Sequence, residues 1–529
     1  MTPKAAGCGC RKPLDQNQPK SRRSRQRRGR GTAKTDETPR RSLTYRQLRH
    51  GFAPQAIFSE DEIATIHDTA LRVLEELGMK ILLPEAREIF AKGGARIDGE
   101  MVYIGRDIVE AAIASAPSSF VLRAANPARE QVYESGAMIF MAGAGCPNAS
   151  DAKRGRRPGD LEAYTECIKL AQSFDVIHLL GPSVEPQDVP IHLRHYEMMR
   201  AQMEFSDKPI CIYARGRGQI TESLEMIQLG LGLSDEDFNN GVWGWTNINS
   251  NSPRMLDNPM AQGIIDMARL GQMSIITPFC LAGAMAPITV AGALTLQHAE
   301  ALCGIALAQL TREGAAVSYG GFSSNVDMKS GSPAFGTPEH VKMELGAGQL
   351  ARFIDLPWRS AAGSASNTSD MQAATENTMG VWGAALANAT LTIHAAGWLE
   401  GGLSFGYEKF INDIEALQML AEMTQKPGAD AAEIGFDALK DVEPGGHFFA
   451  TQHTMDRYRT AFYKPLVADL GNFGTWEDSG GKTSSERAVD IWSSKLENFE
   501  APPGVEDVSE RLATYIEARI NSGGAPPLD

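Results

Sequence analysis

Nine side chains stand where short apolar segments give way to polar, glycine-rich sequence: Tyr213, Trp245, Asn247, Asn249, Phe279, Tyr319, Phe322, His394 and Trp398. Six of them carry aromatic rings without a titratable nitrogen, and a ring face attracts a quaternary ammonium by roughly 0.5 to 2 kcal/mol. One ring at a strand end is more often core than ligand, so the inference rests on the set. Converging on one opening, the six would form a cup for a permanently charged nitrogen. Asn247, Asn249, His394 and the backbone of Gly320 and Gly321 could bind a carboxylate or fix orientation. Glu400 and Asp327 could offset positive charge, or be solvated or structural.

Two stretches carry most of these residues. TIHAAGWLEGGLSFGYEKFIN passes from a β-branched lead-in through His394, Trp398 and Glu400 to a helix, with Gly401 and Gly402 closing the loop. GGFSSNVDMKSGSPAFGTPEH is a long loop with four glycines and no apolar period, and loops of that kind at the carboxyl ends of strands are where ligands are held. The segment GSASNTSD brings Ser364 to the same end and reaches Asp370, a helix cap. No evident nucleophile is read from the sequence, no P-loop or H-E-x-x-H motif is present, and no catalytic residue or metal site is assigned. The pattern is that of a site which orients a ligand for an attacking group supplied from elsewhere.

The elements that must position these residues alternate. Strand candidates fall at 138–141, 176–180, 210–213, 242–246, 274–279, 316–319, 358–361 and 391–394. Helical stretches follow at 158–173, 191–205, 221–231, 258–270, 291–310, 338–353, 370–389 and 407–424. Eight βα units predict an α/β fold, a parallel (β/α)8 TIM barrel over 138–425. No G-x-G-x-x-G follows a first strand to favour an open dinucleotide-binding sheet. Before the barrel, 51–137 reads as an irregular α/β extension opening on a helix capped by Ser59. After it, 426–529 reads as a helical extension on the outside of the barrel or at a subunit interface.

Of 529 residues, the first fifty hold fifteen Lys or Arg against three acids, so +12 sits there and −26 in the rest of a chain of net charge −14. SRRSRQRRGRG lacks aromatic interleaving, and residues 1–50 read as a solvated basic tail rather than a nucleic-acid site. Seven cysteines without regular spacing argue against a disulfide framework. Cys8 and Cys10 have no second pair for zinc, and Cys146, Cys167, Cys211, Cys280 and Cys303 read as reduced core thiols. With no apolar signal core and no run nearing the roughly eighteen apolar residues of a membrane span, the expectation is a cytoplasmic protein with no membrane role.

Three segments taken in order, GAMAPITVAGALTLQHAEALCGIALAQL, SYGGFSSNVDMKSGSPAFGTPEH and HAAGWLEGGLSFGYEKF, resemble the trimethylamine methyltransferase family of corrinoid-dependent methyltransferases, over about residues 50–425. The resemblance implies a TIM barrel that presents a methylated amine to the cob(I)alamin of a separate corrinoid protein. It also implies no cobalamin bound tightly by this chain, and homo-oligomerisation. Founding archaeal members carry pyrrolysine after the seventh strand, where this chain has the ordinary segment 363–368. A quaternary amine of the glycine betaine kind is therefore implied rather than trimethylamine. The competing readings are a methylated-amine binding protein that transfers nothing, and a methyltransferase using trimethylamine or a folate acceptor.

Overall fold

The computed structural model describes residues 44–213 and 215–528; the basic segment up to residue 43, with Cys8 and Cys10, lies outside the described residues. The fold is mixed α/β around one curled sheet of eight strands. In chain order these are β1 (Leu48–Arg49), β2 (Ala137–Phe140), β3 (Ile210–Cys211), β4 (Gly244–Ile248), β5 (Met273–Ile276), β6 (Val317–Gly320), β7 (Trp358–Ala361) and β8 (Leu391–Ile393), arranged β1-β2-β8-β7-β6-β5-β4-β3. Strands β2 to β8 are parallel, as helical crossovers require, and β1 runs antiparallel to β2 with Leu48 opposite Met138. Every residue of β2, β5, β6, β7 and β8 is buried, the signature of a parallel sheet covered on both faces.

Seven of the eight expected strands form, and the eighth member of the sheet differs. Segment 176–180 forms no ladder: Met141 and Leu179 share one parallel bridge, and Leu180 N–H donates to the Pro209 carbonyl at 3.2 Å. The reason is local. The Phe140 amide, which a ladder carbonyl would accept, donates instead to His178 Nδ1 at 3.1 Å. The place is taken by β1, in residues expected to belong to the tail. Leu48 is buried and the Tyr45 hydroxyl donates to the Arg129 carbonyl at 2.5 Å.

Helices Pro338–Phe353 and Tyr407–Met423 sit where the apolar period places them. Helix Glu60–Arg72 starts at Ser59 with a capping box to Glu62, and Asp370 caps Met371–Leu386 by accepting from Ala373 N–H. Helix Val290–Thr311 is long and apolar enough by length and composition to cross a membrane, although Gln297, His298 and Glu300 interrupt its apolar run. It is instead mostly buried, because helices Glu60–Arg72, Pro84–Lys92 and Arg106–Ser115 of the N-terminal extension cover the side that a bare βα unit turns to solvent. At the other end of the chain, Ser484–Glu497 packs on Tyr407–Met423 and Val508–Asn521 packs on Arg217–Leu231. The first of these was not expected, although Thr483 and Glu486 spell its capping box.

Candidate functional site

Segments at the carboxyl ends of β2 to β8 surround a cavity of about 490 Å³. Eight of the residues singled out in the sequence line it: Tyr213, Trp245, Asn247, Asn249, Phe279, Phe322, His394 and Trp398. Phe322 is the centre of the ring wall, with centroids 5.1 Å from Phe279, 5.3 Å from His394 and 5.7 Å from Trp398. Trp398 stacks on His394 at 4.5 Å and 22°, and its indole N–H donates to the Ala144 carbonyl at 3.2 Å. The tryptophan needs bare backbone around it: Cβ atoms at Gly363 (φ +114°) and Gly402 (φ +104°) would lie 2.3 and 2.5 Å from its ring. Glycine is also the residue that tolerates those dihedrals.

The others lie elsewhere. Tyr319 is fully buried on the outer face of β6, its hydroxyl 3.1 Å from His298 Nδ1 and 3.3 Å from Gln297 Nε2. Gly320 lets strands approach, since a Cβ there would meet the Ile276 carbonyl at 2.3 Å. Ser364 donates to Glu376 at 2.6 Å, and its carbonyl accepts from Gly401 N–H at 3.0 Å, so it braces the tryptophan loop from behind. Glu400 is paired with Arg156 at 2.9 Å, and Asp327 closes an exposed turn with Ser330 at 2.7 Å. Neither acid touches the cavity, so neither offsets charge there.

The cavity's own electrostatics come from residues the sequence reading passed over. Arg215 and Arg359 line it, and no Asp or Glu does. Arg359 is 2% exposed, with its guanidinium 5.2 Å from the Phe322 centroid. Among the described residues its side chain makes one polar contact, to the Gly321 carbonyl, long at 3.5 Å. Burial pulls its pKa down to about 9, which leaves it protonated at neutral pH. His394 holds φ +58°, and burial, with the charge of Arg359, keeps its imidazole well below the usual histidine range. Because its Nδ1 accepts from Ala144 N–H at 3.1 Å, the neutral ring carries its proton on Nε2. Asn247 is fixed by donating to Asn249 at 2.7 Å and accepting from the Thr277 hydroxyl at 3.0 Å.

Behind the ring wall, Phe335 packs 5.0 Å from both Phe322 and Trp398, and His340 lies edge-on to Phe335 at 5.7 Å. Burial lowers the His340 pKa from 6.5 to about 4. Between those values the unfolded chain binds the extra proton, so the contribution is complete above pH 6.5 and is lost as pH falls toward 4, about 3 kcal/mol in all. Urea unfolding is accordingly expected to weaken more steeply from pH 7 to pH 5 in the wild type than in His340→Gln. Equal slopes would show that His340 does not carry the effect.

The family described as Trimethylamine methyltransferase (MTTB) matches residues 21–524. Among curated proteins, the chain is 34% identical to the glycine betaine methyltransferase of Desulfitobacterium hafniense (strain Y51) over 465 residues, 88% of this chain and 97% of that one. It is 31% identical to the trimethylamine methyltransferase MttB of Desulfitobacterium hafniense (strain DSM 10664 / DCB-2), over 87% of this chain and 93% of that one. Among solved structures, the Methanosarcina barkeri monomethylamine methyltransferase (MtmB) aligns with a TM-score of 0.44 at 10% identity, covering 86% of this chain and 97% of that one.

Proposed function

Because the chain belongs to the trimethylamine methyltransferase family, we propose that it moves a methyl group from a quaternary amine resembling glycine betaine to the cob(I)alamin of a partner corrinoid protein. The observation that carries the reading is the ring-walled cavity of Trp245, Phe279, Phe322 and Trp398, into which no carboxylate projects. A cation held there is held by ring faces, and ring faces discriminate for a nitrogen whose charge cannot be removed. Cob(I)alamin supplies the nucleophile in this reading. The carbon–nitrogen bond breaks, its electron pair stays on nitrogen, and a neutral tertiary amine departs. That leaving group needs no proton, which agrees with a neutral His394 and with the lack of an acid in the lining. The chain's contribution is then to desolvate the ammonium and hold one methyl toward the opening.

Three further parts belong to the same reading. The Met141–Leu179 bridge and the Leu180–Pro209 hydrogen bond join the two ends of the parallel array, which supports closure as a (β/α)8 barrel. Large apolar side chains exposed in the C-terminal extension, among them Phe436, Phe449, Phe462 and Leu470, support a homo-oligomer. Five buried cysteines, none paired among the described residues, fit the reducing cytoplasm.

The test is to supply the purified chain with cob(I)alamin and a panel of methylated amines and to follow the cobalt absorption. Methylcobalamin is expected with glycine betaine or a close quaternary analogue. Tight binding without methylcobalamin would instead establish a binding protein, and turnover with a folate in the absence of corrinoid would establish the other acceptor.

A further inference from the structure

Among the described residues, two buried donors in the cavity wall find no partner. The Nε–H of Arg359 and the indole N–H of Trp245 make no hydrogen bond, both residues line the cavity, and they are 2% and 1% exposed. Burying a guanidinium costs several kcal/mol unless an anion or a full set of acceptors compensates it. Among the described residues, no carboxylate forms an ion pair with Arg359. Its stacking on Phe322 and its long contact with Gly321 leave most of its five N–H groups unused. An unpaired tryptophan N–H inside a protein is likewise unusual, since buried indoles generally find an acceptor. Two such lapses in one cavity point to an acceptor that arrives with the ligand.

We infer that Arg359 and Trp245 form the subsite for the substrate's carboxylate, so that the cavity selects a zwitterion with a quaternary nitrogen at one end and a carboxylate at the other. This rests on the quaternary-amine reading and deepens it. The chemistry divides cleanly between the two kinds of group. Phe279, Phe322 and Trp398 offer ring faces to the ammonium, while the guanidinium, positive and planar, matches a carboxylate and repels a bare cation. Trp245 would serve both ends, since the residue lines the cavity and its buried N–H has no acceptor among the described residues. A tetraalkylammonium without an anionic group would meet the rings and an uncompensated guanidinium. Selectivity for the zwitterion is then built from an attraction and a repulsion together. Asn247, one of the carboxylate ligands expected from sequence, already donates to Asn249 and accepts from Thr277.

The experiment is calorimetric titration of the full chain with glycine betaine, choline and tetramethylammonium. Choline replaces the carboxylate by a neutral hydroxymethyl group. The wild type is expected to prefer glycine betaine over choline by about 30-fold or more, and Arg359→Met to weaken glycine betaine about 100-fold while leaving tetramethylammonium within a few-fold or improving it. Arg359→Lys should recover part of the loss. Trp245→Phe, which keeps a ring and removes the N–H, should weaken glycine betaine selectively by about 10-fold. The subsite is overturned if the wild type does not distinguish glycine betaine from choline, or if Arg359→Met weakens glycine betaine and tetramethylammonium equally. If Arg359→Met does not fold, the wild-type preference and Trp245→Phe decide. A wild type that binds neither glycine betaine nor tetramethylammonium overturns the quaternary-amine reading itself, a result distinct from loss of carboxylate selectivity alone.

Discussion

Replacing Trp398 by alanine is expected to lower methyl transfer from the quaternary amine on the order of 1,000-fold, with tetramethylammonium binding lost in parallel. Two losses combine. The ring is part of the cavity wall, and its face contributes roughly 0.5 to 2 kcal/mol to a bound ammonium. It is also the piece against which its neighbours are set: His394 stacks on it at 4.5 Å, Phe335 meets it edge-on at 5.0 Å, and its N–H ties it to the Ala144 carbonyl. A large void at a 4% exposed position costs about 3 to 5 kcal/mol of packing, and the displaced His394 and Phe322 then no longer frame the ligand. Trp398→Phe keeps a ring and loses the Ala144 hydrogen bond, so a reduction of about 10-fold is expected. Gly363→Ala attacks the same ring from behind, because its Cβ would meet the indole at 2.3 Å at φ +114°. Stopped-flow transfer rates and calorimetry on the three variants check the series. Unchanged affinity for tetramethylammonium in Trp398→Ala would remove the aromatic cup from the mechanism.

How the sequence anticipated this site follows from the parity of strands. Trp245 and Asn247 on β4 and Asn249 just beyond it are spaced by two and line the cavity, as alternation along a strand favours, although Thr246 between them reaches it as well. Tyr319 breaks the expectation for the same reason. Its neighbour Ser318 points inward to the Tyr133 hydroxyl at 2.8 Å, so the tyrosine points outward to His298 and Gln297. Arg359 lies within a strand rather than on a loop, and β7 reads Trp-Arg-Ser-Ala with every residue buried. Ser360 on the outer face donates to Glu344 at 2.8 Å, which leaves Arg359 inward. A lone arginine in a buried strand was the available signal. The acidity of the chain beyond its first fifty residues does not extend to the cavity, whose lining among the described residues holds two arginines and no acid. The strands that formed where expected were apolar runs between glycine, proline and charged residues. Segment 176–180 has the same composition, yet the Phe140 amide that would join its ladder is taken by the His178 side chain.

Asp413→Ala is expected to destabilise the fold by about 3 to 5 kcal/mol, the scale for breaking one side of a buried ion pair. Lys409 Nζ donates to Asp413 at 2.6 Å, with side chains 1% and 4% exposed, so the substitution strands an ammonium in the interior. Burial pulls the lysine down and pushes the aspartate up, while their contact opposes both shifts. The same carboxylate accepts from Gly397 N–H at 2.9 Å and thereby ties helix Tyr407–Met423 to the turn that delivers Trp398. The Asn377 amide holds the adjoining Ala395 carbonyl at 3.0 Å while its oxygen accepts from Gly363 N–H at 3.0 Å, so the two loops beside Trp398 share one set of anchors. Charge burial and loop positioning can be separated. The double variant Lys409→Met, Asp413→Leu removes both charges and is expected to recover most of the stability lost in Asp413→Ala, as apolar replacements of buried pairs do. It leaves the Gly397 amide without its acceptor, so transfer should stay depressed by about 10-fold. Urea unfolding and transfer rates on the two variants give the comparison. Full recovery of both would make the pair a contributor to stability alone, and a loss of less than about 1 kcal/mol in Asp413→Ala would mean that the stranded lysine finds another acceptor or sheds its proton.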